Sequence, residues 1–303
     1  MLLKNINGKI QKLAIDEFKL EKDLQKFVEE NLEYLLDLQL VESEFSIENY
    51  RLDSLAFDKE NKSFVIIEYK KGNSYSVIDQ GYTYLSTVLN NKAELVLEYN
   101  ERMKNTLRRD EIDWTQTKVI FISQSFNKYQ KGSLNFKNLP IELYEVKRYE
   151  GGLISFENIK EDNNAEDINV ISKMNTTIEA VSKEIKKYSI EDHTKESTEE
   201  IIELFEEFRE KIELIFPDIK IEPKKLYIAF KNDKKNLADF RLQKKQLKIW
   251  LNAKYGELDD FKKLGTDVSK TGHWGNGDYQ LQISDDKDIE YILSLIKQVN
   301  SLK

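Results

Sequence analysis

Two strand-like segments joined by a polar turn, residues 50–71, constrain the fold of this chain more than any other stretch. The first segment carries Asp53 among apolar residues, and the second runs from four apolar residues straight into Glu68 and Lys70. Because residues two apart on a strand project from the same face, Glu68 and Lys70 are predicted to emerge side by side. The pattern therefore predicts a β-hairpin that brings the carboxylate of Asp53 next to a Glu–Lys pair.

Composition narrows the class of protein. At 303 residues, with 34% charged side chains, the chain is long enough for two globular cores. It contains no cysteine, which excludes disulfides, thiolate catalysis and cysteine-bound zinc. Its longest apolar runs are about five residues, far below the roughly 20 that a bilayer span needs. The N-terminus lacks an apolar signal core, so we expect a cytoplasmic protein with no membrane association.

Charge is unevenly distributed along the chain. The net charge of -8 argues against bulk electrostatic binding of nucleic acid. Acidic residues outnumber basic ones two to one across residues 157–220, whereas residues 221–303 carry a net positive charge. Neither end of the chain is therefore strongly repulsive to phosphate.

Hydrophobic periodicity predicts an α/β domain with a mixed sheet over residues 1–157. It opens with a hairpin whose turn is Asn7-Gly8. Helices and strands then follow in the order αβββαβ with a closing strand pair, at residues 21–36, 39–48, 50–58, 63–71, 75–103, 118–123, 141–148 and 153–156. On the second helix, Gln80, Tyr84 and Val88 recur at four-residue spacing, which turns Gln80 toward the preceding strands.

The second half of the chain has a different pattern. Residues 158–196, rich in acidic and small polar side chains, are predicted to be a linker with one weak helical stretch. Residues 197–303 are predicted to form a smaller α+β domain. It begins with an amphipathic helix over residues 197–216, which Ser197 or Thr198 can cap and Pro217 ends.

Asp53, Glu68 and Lys70 are the residue types that phosphodiester hydrolysis requires. A divalent metal held by carboxylates neutralises phosphate charge, and a nearby lysine polarises water or stabilises the transition state. The main-chain carbonyl of Tyr69 is a further candidate ligand. An alternative interpretation is structural, because charged residues are common where a strand leaves the core.

With their flanking helices, residues 18–125 resemble the PD-(D/E)XK nuclease superfamily, and most closely its NucS-type endonuclease branch. In that pattern an aspartate sits on one strand and Glu-x-Lys closes the next, here Asp53 and Glu68-Tyr69-Lys70. Leu52 stands where the motif's name has proline. The resemblance implies a restriction-endonuclease-like core and a Mg²⁺- or Mn²⁺-dependent nuclease acting on DNA. It also implies site roles for Gln80 and Glu21, although Glu21 is equally explained as a charge stabilising a helix N-terminus.

Residues 221–303 resemble a small domain of unknown function, found in bacterial proteins sometimes labelled predicted transport proteins. The glycine-rich stretch around His273 and Trp274 is interpreted either as a loop presenting an aromatic ring to a ligand or as a hairpin turn with Trp274 on the core. The lysines of this segment either form a phosphate-facing patch or line solvated faces.

The expected partner is DNA, including single-stranded or branched forms, and a homodimer through the 197–216 helix is a further expectation. A second hypothesis of a different class is a catalytically inactive nuclease-fold module that mediates assembly in defence or repair.

Overall fold

A computed structural model of the chain describes residues 2–71, 76–132, 139–159, 176–232, 235–272 and 275–302, and the backbone of residues 136–137 and 166–167. The chain divides into two units, Met1–Lys187 and Tyr188–Lys303. His273, Trp274, Lys234 and part of the predicted linker, residues 160–165 and 168–175, lie outside the described residues, so the predictions made for them are not addressed by the structure.

The first unit contains ten strands and six helices among its described residues. The strands are β1 Leu3–Ile6, β2 Lys9–Lys12, β3 Gln39–Ile47, β4 Tyr50–Asp58, β5 Ser63–Lys70, β6 Lys118–Ser123, β7 Phe136–Lys137, β8 Ile141–Tyr149, β9 Leu153–Ile159 and β10 Glu166–Asp167. The α-helices are α1 Glu21–Glu30, α2 Leu32–Leu36, α3 Val77–Asn90, α4 Lys92–Met103, α5 Lys128–Gly132 and α6 Thr176–Glu184. Two 3₁₀ turns, Arg109–Glu111 and Trp114–Gln116, precede β6.

A six-stranded mixed sheet, in the order β3-β4-β5-β6-β8-β9, forms the centre of the first unit. Strands β3 to β5 are an antiparallel meander, β5, β6 and β8 are parallel, and β9 returns antiparallel. The helices between β5 and β6 make the parallel crossover that a parallel pair requires. The α/β class and the αβββαβ order predicted from the sequence are confirmed.

The alternation of side chains along β4 and β5 divides the apolar residues between two cores. Phe64 and Ile66 pack with α3 and α4 on one face, whereas Val65, Ile67 and Tyr69 pack with α1 on the other. All five side chains are fully buried. A slip of register by one residue would move each set, and the charged residues that alternate with it, to the opposite face of the sheet. The register of the β4–β5 hairpin is therefore strongly fixed.

The two long helices predicted in this unit are each broken at an asparagine. The predicted helix over residues 75–103 is α3 followed by α4, separated at Asn91, whose backbone leaves helical geometry. The Asn91 side chain donates to the carbonyl of Thr87 at 2.8 Å and to Glu48 Oε1 at 2.7 Å. The predicted helix over residues 21–36 breaks in the same way at Asn31. Asparagine competes for backbone hydrogen bonds and so favours helix ends.

The predicted linker, residues 158–196, contains ordered structure. Helix α6 places Ile178 and Val181 in the core formed with α3, so this part of the predicted linker belongs to the first unit. The division between the units falls at residues 187 and 188, inside the predicted linker.

The second unit contains an antiparallel sheet covered by helices. Its strands are β11 Lys220–Pro223, β12 Ile228–Asn232, β13 Lys235–Gln243, β14 Gln246–Leu251, β15 Thr266–Asp267 and β16 Tyr279–Ile283, in the order β11-β12-β13-β14-β16-β15. Its helices are α7 Ile190–Thr194, α8 Glu199–Ile215 and α9 Ile289–Ser301. The smaller α+β region predicted from the sequence is present.

Helix α8 corresponds to the amphipathic helix for which dimerisation was predicted. Its apolar side is buried in the core of its own unit, through Ile201, Leu204, Phe205, Phe208 and Ile212. Leu214, 83% exposed, is a large apolar side chain of α8 outside this core. Within the described residues, no helix is long and apolar enough to span a membrane.

Candidate functional site

The candidate site lies where β5 ends, on the face of the sheet that packs against α3. In the β4–β5 ladder Ser54 pairs with Ile67, so the same register carried one residue further sets Asp53 opposite Glu68. Residues paired across two strands share a face and bring their Cβ atoms within about 5 Å. The structure thus brings together the two carboxylates that the sequence singled out.

Asp53 is held by the main chain of the neighbouring strand. Its Oδ2 accepts a hydrogen bond from the backbone N–H of Tyr69 at 2.9 Å. Burial, and then the nearby charge of Glu68, raises the pKa of Asp53 to about 7. An ionised Asp53 beside an ionised Glu68 is therefore costly unless a cation lies between or beside them.

Glu68 is buried and bonded at only one of its two carboxylate oxygens. Oε1 accepts from Lys70 Nζ and Gln80 Nε2, both at 2.9 Å, and from the Tyr84 hydroxyl at 3.3 Å. Oε2 is buried and has no hydrogen-bond partner. Burial raises the pKa of Glu68, and the bond from Lys70 offsets only part of that effect.

Helix α3 supplies the groups that hold Glu68. Gln80 lies on its first turn and donates through Nε2 both to Glu68 and to the Tyr84 hydroxyl, the latter at 2.8 Å. Ser76 caps this helix by accepting from the N–H of Asp79. The pair Gln80 and Tyr84 thereby fixes one carboxylate oxygen and leaves the other to a different partner.

Glu21 lies near the site without contacting Glu68. Its Oε2 accepts from the backbone N–H of Lys71 at 2.9 Å, directly after the end of β5, and its charge contributes to the raised pKa of Asp53. As the first residue of α1 it also occupies the position where a carboxylate stabilises a helix N-terminus. One observation therefore favours a role for Glu21 at the site, and another favours its role as a charge at the helix N-terminus.

Two residues of the site were not predicted. Tyr84 shares the four-residue spacing of Gln80 on α3, which was a usable sequence signal. Gln25 of α1 is buried and donates through Nε2 to the main-chain carbonyl of Asp53 at 2.9 Å, and also to Glu29 and Ser43. A single glutamine within an amphipathic helix gave no sequence signal for this contact.

The donor set fits a divalent ion of the magnesium type. In the described part of the chain, no three His, Asp or Glu side chains are grouped as a metal site. Magnesium, however, is commonly bound by one or two protein carboxylates, with waters and substrate phosphates completing its shell. The buried, unpartnered Oε2 of Glu68 beside Asp53 matches that requirement. Asp53, Glu68 and the Tyr69 carbonyl are the residues that could hold such an ion.

Residues 190–299 match the family model described as a domain of unknown function, DUF5655. The resemblance of the C-terminal segment to a domain of unknown function is thereby confirmed, and the match begins well before the predicted start at residue 221. That description does not refer to transport.

Three solved structures show a weak similarity to this chain. A repair endonuclease from Pyrococcus abyssi matches 44% of this chain and 49% of its own, with a TM-score of 0.27 and 16% identity. The EndoMS–dsDNA complex matches 43% and 47%, with a TM-score of 0.25 and 16% identity. Pyrococcus furiosus SfsA in complex with Ca²⁺ matches 45% and 61%, with a TM-score of 0.24 and 15% identity. This chain spans about half the length of the first two proteins, and similarity this weak carries no argument about activity.

A protein of Haemophilus influenzae described as uncharacterized is 49% identical over 291 residues, covering 96% of both chains. Identity at this level across both units means that the two proteins share one fold and one architecture. The chain therefore belongs to the same family as this Haemophilus influenzae protein.

Proposed function

We propose that this protein is a Mg²⁺- or Mn²⁺-dependent nuclease that hydrolyses phosphodiester bonds in DNA, including single-stranded or branched forms. The observation that carries the proposal is the carboxylate of Glu68. Its Oε1 accepts from three donors, whereas its Oε2 is buried without a hydrogen-bond partner. A carboxylate oxygen buried in this way costs free energy unless a cation or donor completes it.

Each residue has a role that follows from its contacts. Asp53 and Glu68, with the Tyr69 carbonyl, would hold the ion, which would neutralise charge on the phosphate oxygens. Lys70 lies on the same face as Glu68 and would assist water attack or stabilise the charge that develops on the phosphate. Gln80 and Tyr84 orient Glu68. Glu21 would support a second ion or the attacking water.

A cleavage assay tests the proposal. Wild-type protein is incubated with single-stranded, branched and duplex DNA in Mg²⁺, in Mn²⁺ and in EDTA. We expect metal-dependent cleavage of at least one substrate, and a loss of at least about 100-fold in Asp53→Ala and Lys70→Ala. No cleavage by the wild type, or cleavage by both variants at the wild-type rate, contradicts the proposal.

The second candidate is a nuclease-fold interaction module without catalysis. It is favoured by one observation, that the described residues contain no group of three metal-ligating side chains. Metal titration separates the two candidates. Binding of Mn²⁺ that is lost in Glu68→Ala supports the nuclease, whereas a wild type that binds no metal supports the interaction module.

A further inference from the structure

A second charged cluster lies on the same face of the sheet as the candidate metal site. Glu145 of β8 is buried, and each of its carboxylate oxygens meets a different lysine. Lys131 Nζ of α5 lies 2.7 Å from Oε1, and Lys147 Nζ of β8 lies 2.8 Å from Oε2. The backbone N–H of Phe126 also donates to Oε1 at 3.1 Å. We call Lys131, Glu145 and Lys147 the lysine fork.

The register of the sheet aligns this fork with the candidate catalytic lysine. Lys70 pairs with Ser123 of β6, and Ser123 pairs with Glu145 of β8, so the three residues form one row across three parallel strands. Neighbouring strands are about 4.8 Å apart, which sets Glu145 roughly 10 Å from Lys70. One DNA strand covers that distance within about three nucleotides. The row also lies toward the carboxyl ends of the strands, where ligands of open α/β sheets bind.

The lysine fork places two ammonium groups around one buried carboxylate. Burial raises the pKa of Glu145, but the hydrogen bonds from Lys131 and Lys147 outweigh burial and lower it to about 2. The carboxylate is thus ionised, and the three residues of the fork together carry one positive charge. The exposed Glu157, which pairs with Glu145 on β9, offsets part of that charge because it acts on Lys147. Lys118 and Glu142, at the opposite ends of β6 and β8, form a simple pair 2.7 Å apart with no such excess.

Both lysines are accessible from solvent. The side chain of Lys131 is 41% exposed and that of Lys147 is 31% exposed, whereas Glu145 is 7% exposed. An ammonium group carries three donors, so each lysine retains donors beyond the one that it gives to Glu145. Because Glu145 restricts both side chains, less conformational entropy is lost when an anion binds them.

We propose that the lysine fork is a phosphate-binding subsite for the DNA strand that is cut at Asp53, Glu68 and Lys70. This inference rests on the proposed function and assigns the fork to a backbone phosphate a few nucleotides from the scissile one. In a chain with a net charge of -8, the two exposed ammonium groups of the fork would supply the direct phosphate contact that the net charge of the molecule does not.

The experiment measures the affinity and salt dependence of DNA binding without cleavage. Fluorescein-labelled oligodeoxynucleotides, single-stranded and duplex, are titrated with full-length protein in EDTA at several salt concentrations, and fluorescence anisotropy is recorded. The proteins are the wild type, Lys131→Gln, Lys147→Gln, Lys147→Arg and the matched control Lys118→Gln. Thermal unfolding of each variant shows whether it is folded.

Lys131→Gln and Lys147→Gln are each expected to weaken binding by about threefold to tenfold and to reduce the slope of log affinity against log salt by about 1. Lys147→Arg keeps most of the affinity, and Lys118→Gln matches the wild type. A purely structural fork would change the melting temperature and leave the salt slope unchanged, and that outcome contradicts the subsite alone. If the wild type binds no DNA while cleaving none, the proposed function fails together with the subsite.

Discussion

Glu68 and Glu145 are two buried glutamates on one face of the same sheet, and their carboxylate oxygens differ in how they are hydrogen-bonded. Both oxygens of Glu145 are bonded to lysines, and its pKa falls to about 2. Glu68 has its donors on one oxygen, keeps the other buried and unpartnered, and has a raised pKa. The protein can therefore satisfy a buried carboxylate fully. We therefore propose that a partner outside the chain, a divalent ion, completes the hydrogen-bonding environment of Glu68.

The largest effect expected from this contrast is on cleavage. Glu68→Gln keeps the shape of the side chain but removes the negative charge that would bind the proposed ion. We expect the metal-dependent cleavage rate to fall by about 1,000-fold. Glu142→Gln, which removes a paired glutamate at the opposite ends of the strands, should remain within about twofold of the wild type. Equal cleavage rates for Glu68→Gln and Glu142→Gln in a single-turnover assay would contradict a special role for Glu68 in cleavage.

Metal affinity should depend strongly on pH because Asp53 has a raised pKa. At a pH below its pKa of about 7, the Asp53 carboxyl is protonated in the folded protein. An ion must therefore displace that proton to bind. We expect the affinity for Mn²⁺, measured by calorimetry, to rise by up to about tenfold per pH unit from pH 5.5 and to level off above pH 7. A flat profile from pH 5.5 to 8 would contradict the assignment of Asp53 as a ligand.

The two carboxylates should also affect stability with opposite signs. The pKa of Asp53 is raised from 3.8, so its ionisation destabilises the metal-free fold increasingly as pH rises toward 7. The pKa of Glu145 is lowered from 4.5, so its ionised form stabilises the fold above that value and this contribution is lost in acid.

At pH 8 in EDTA we accordingly expect Asp53→Asn to raise the melting temperature and Glu145→Gln to lower it. Each change in the free energy of unfolding should be about 2 kcal/mol, or a few degrees in a unit of this size. Circular dichroism during heating measures both. Shifts of the same sign would mean that the two carboxylates do not differ in the way proposed.

A smaller effect is expected at Tyr84, which was not predicted from the sequence. Tyr84→Phe removes the hydroxyl that contacts Glu68 and accepts from Gln80, so Glu68 is less well oriented. We expect a loss of about threefold to tenfold in the cleavage rate. Tyr99→Phe, at a buried tyrosine of α4 packed on Phe57 and Phe64, is the control and should leave the rate unchanged. Equal cleavage rates for the two variants would exclude a role for the Tyr84 hydroxyl in orienting Glu68 for cleavage.

The strand pattern of residues 50–71 was predictable because side-chain alternation has a strict period of two, and a strand pair of known register fixes which residues meet. The helix breaks were less predictable. Asn91 ends α3 partly through a bond to Glu48, a contact 43 residues away that no local pattern encodes. The same holds for Gln25, which reaches the carbonyl of Asp53 across 28 residues.

The bonding state of a carboxylate has no sequence signature at all. Glu68 and Glu145 both stand two residues before a lysine on the same strand, so local sequence assigns them the same environment. Lys131, Gln80 and Tyr84 make the difference, and each comes from a helix placed by the tertiary fold. The residues alone suggested the candidate chemistry, which stays a proposal, whereas the difference in hydrogen bonding between Glu68 and Glu145 required the structure.

A crystal structure of the protein with manganese, located by its anomalous scattering, tests whether Glu68 and Asp53 hold a metal ion. We expect one strong anomalous peak within about 2.5 Å of both Glu68 Oε2 and an oxygen of Asp53. We also expect the peak to be absent from crystals of Glu68→Gln. No peak at this position in the wild type, or a Glu68 Oε2 that is instead bonded to a protein donor, would contradict the proposed metal site.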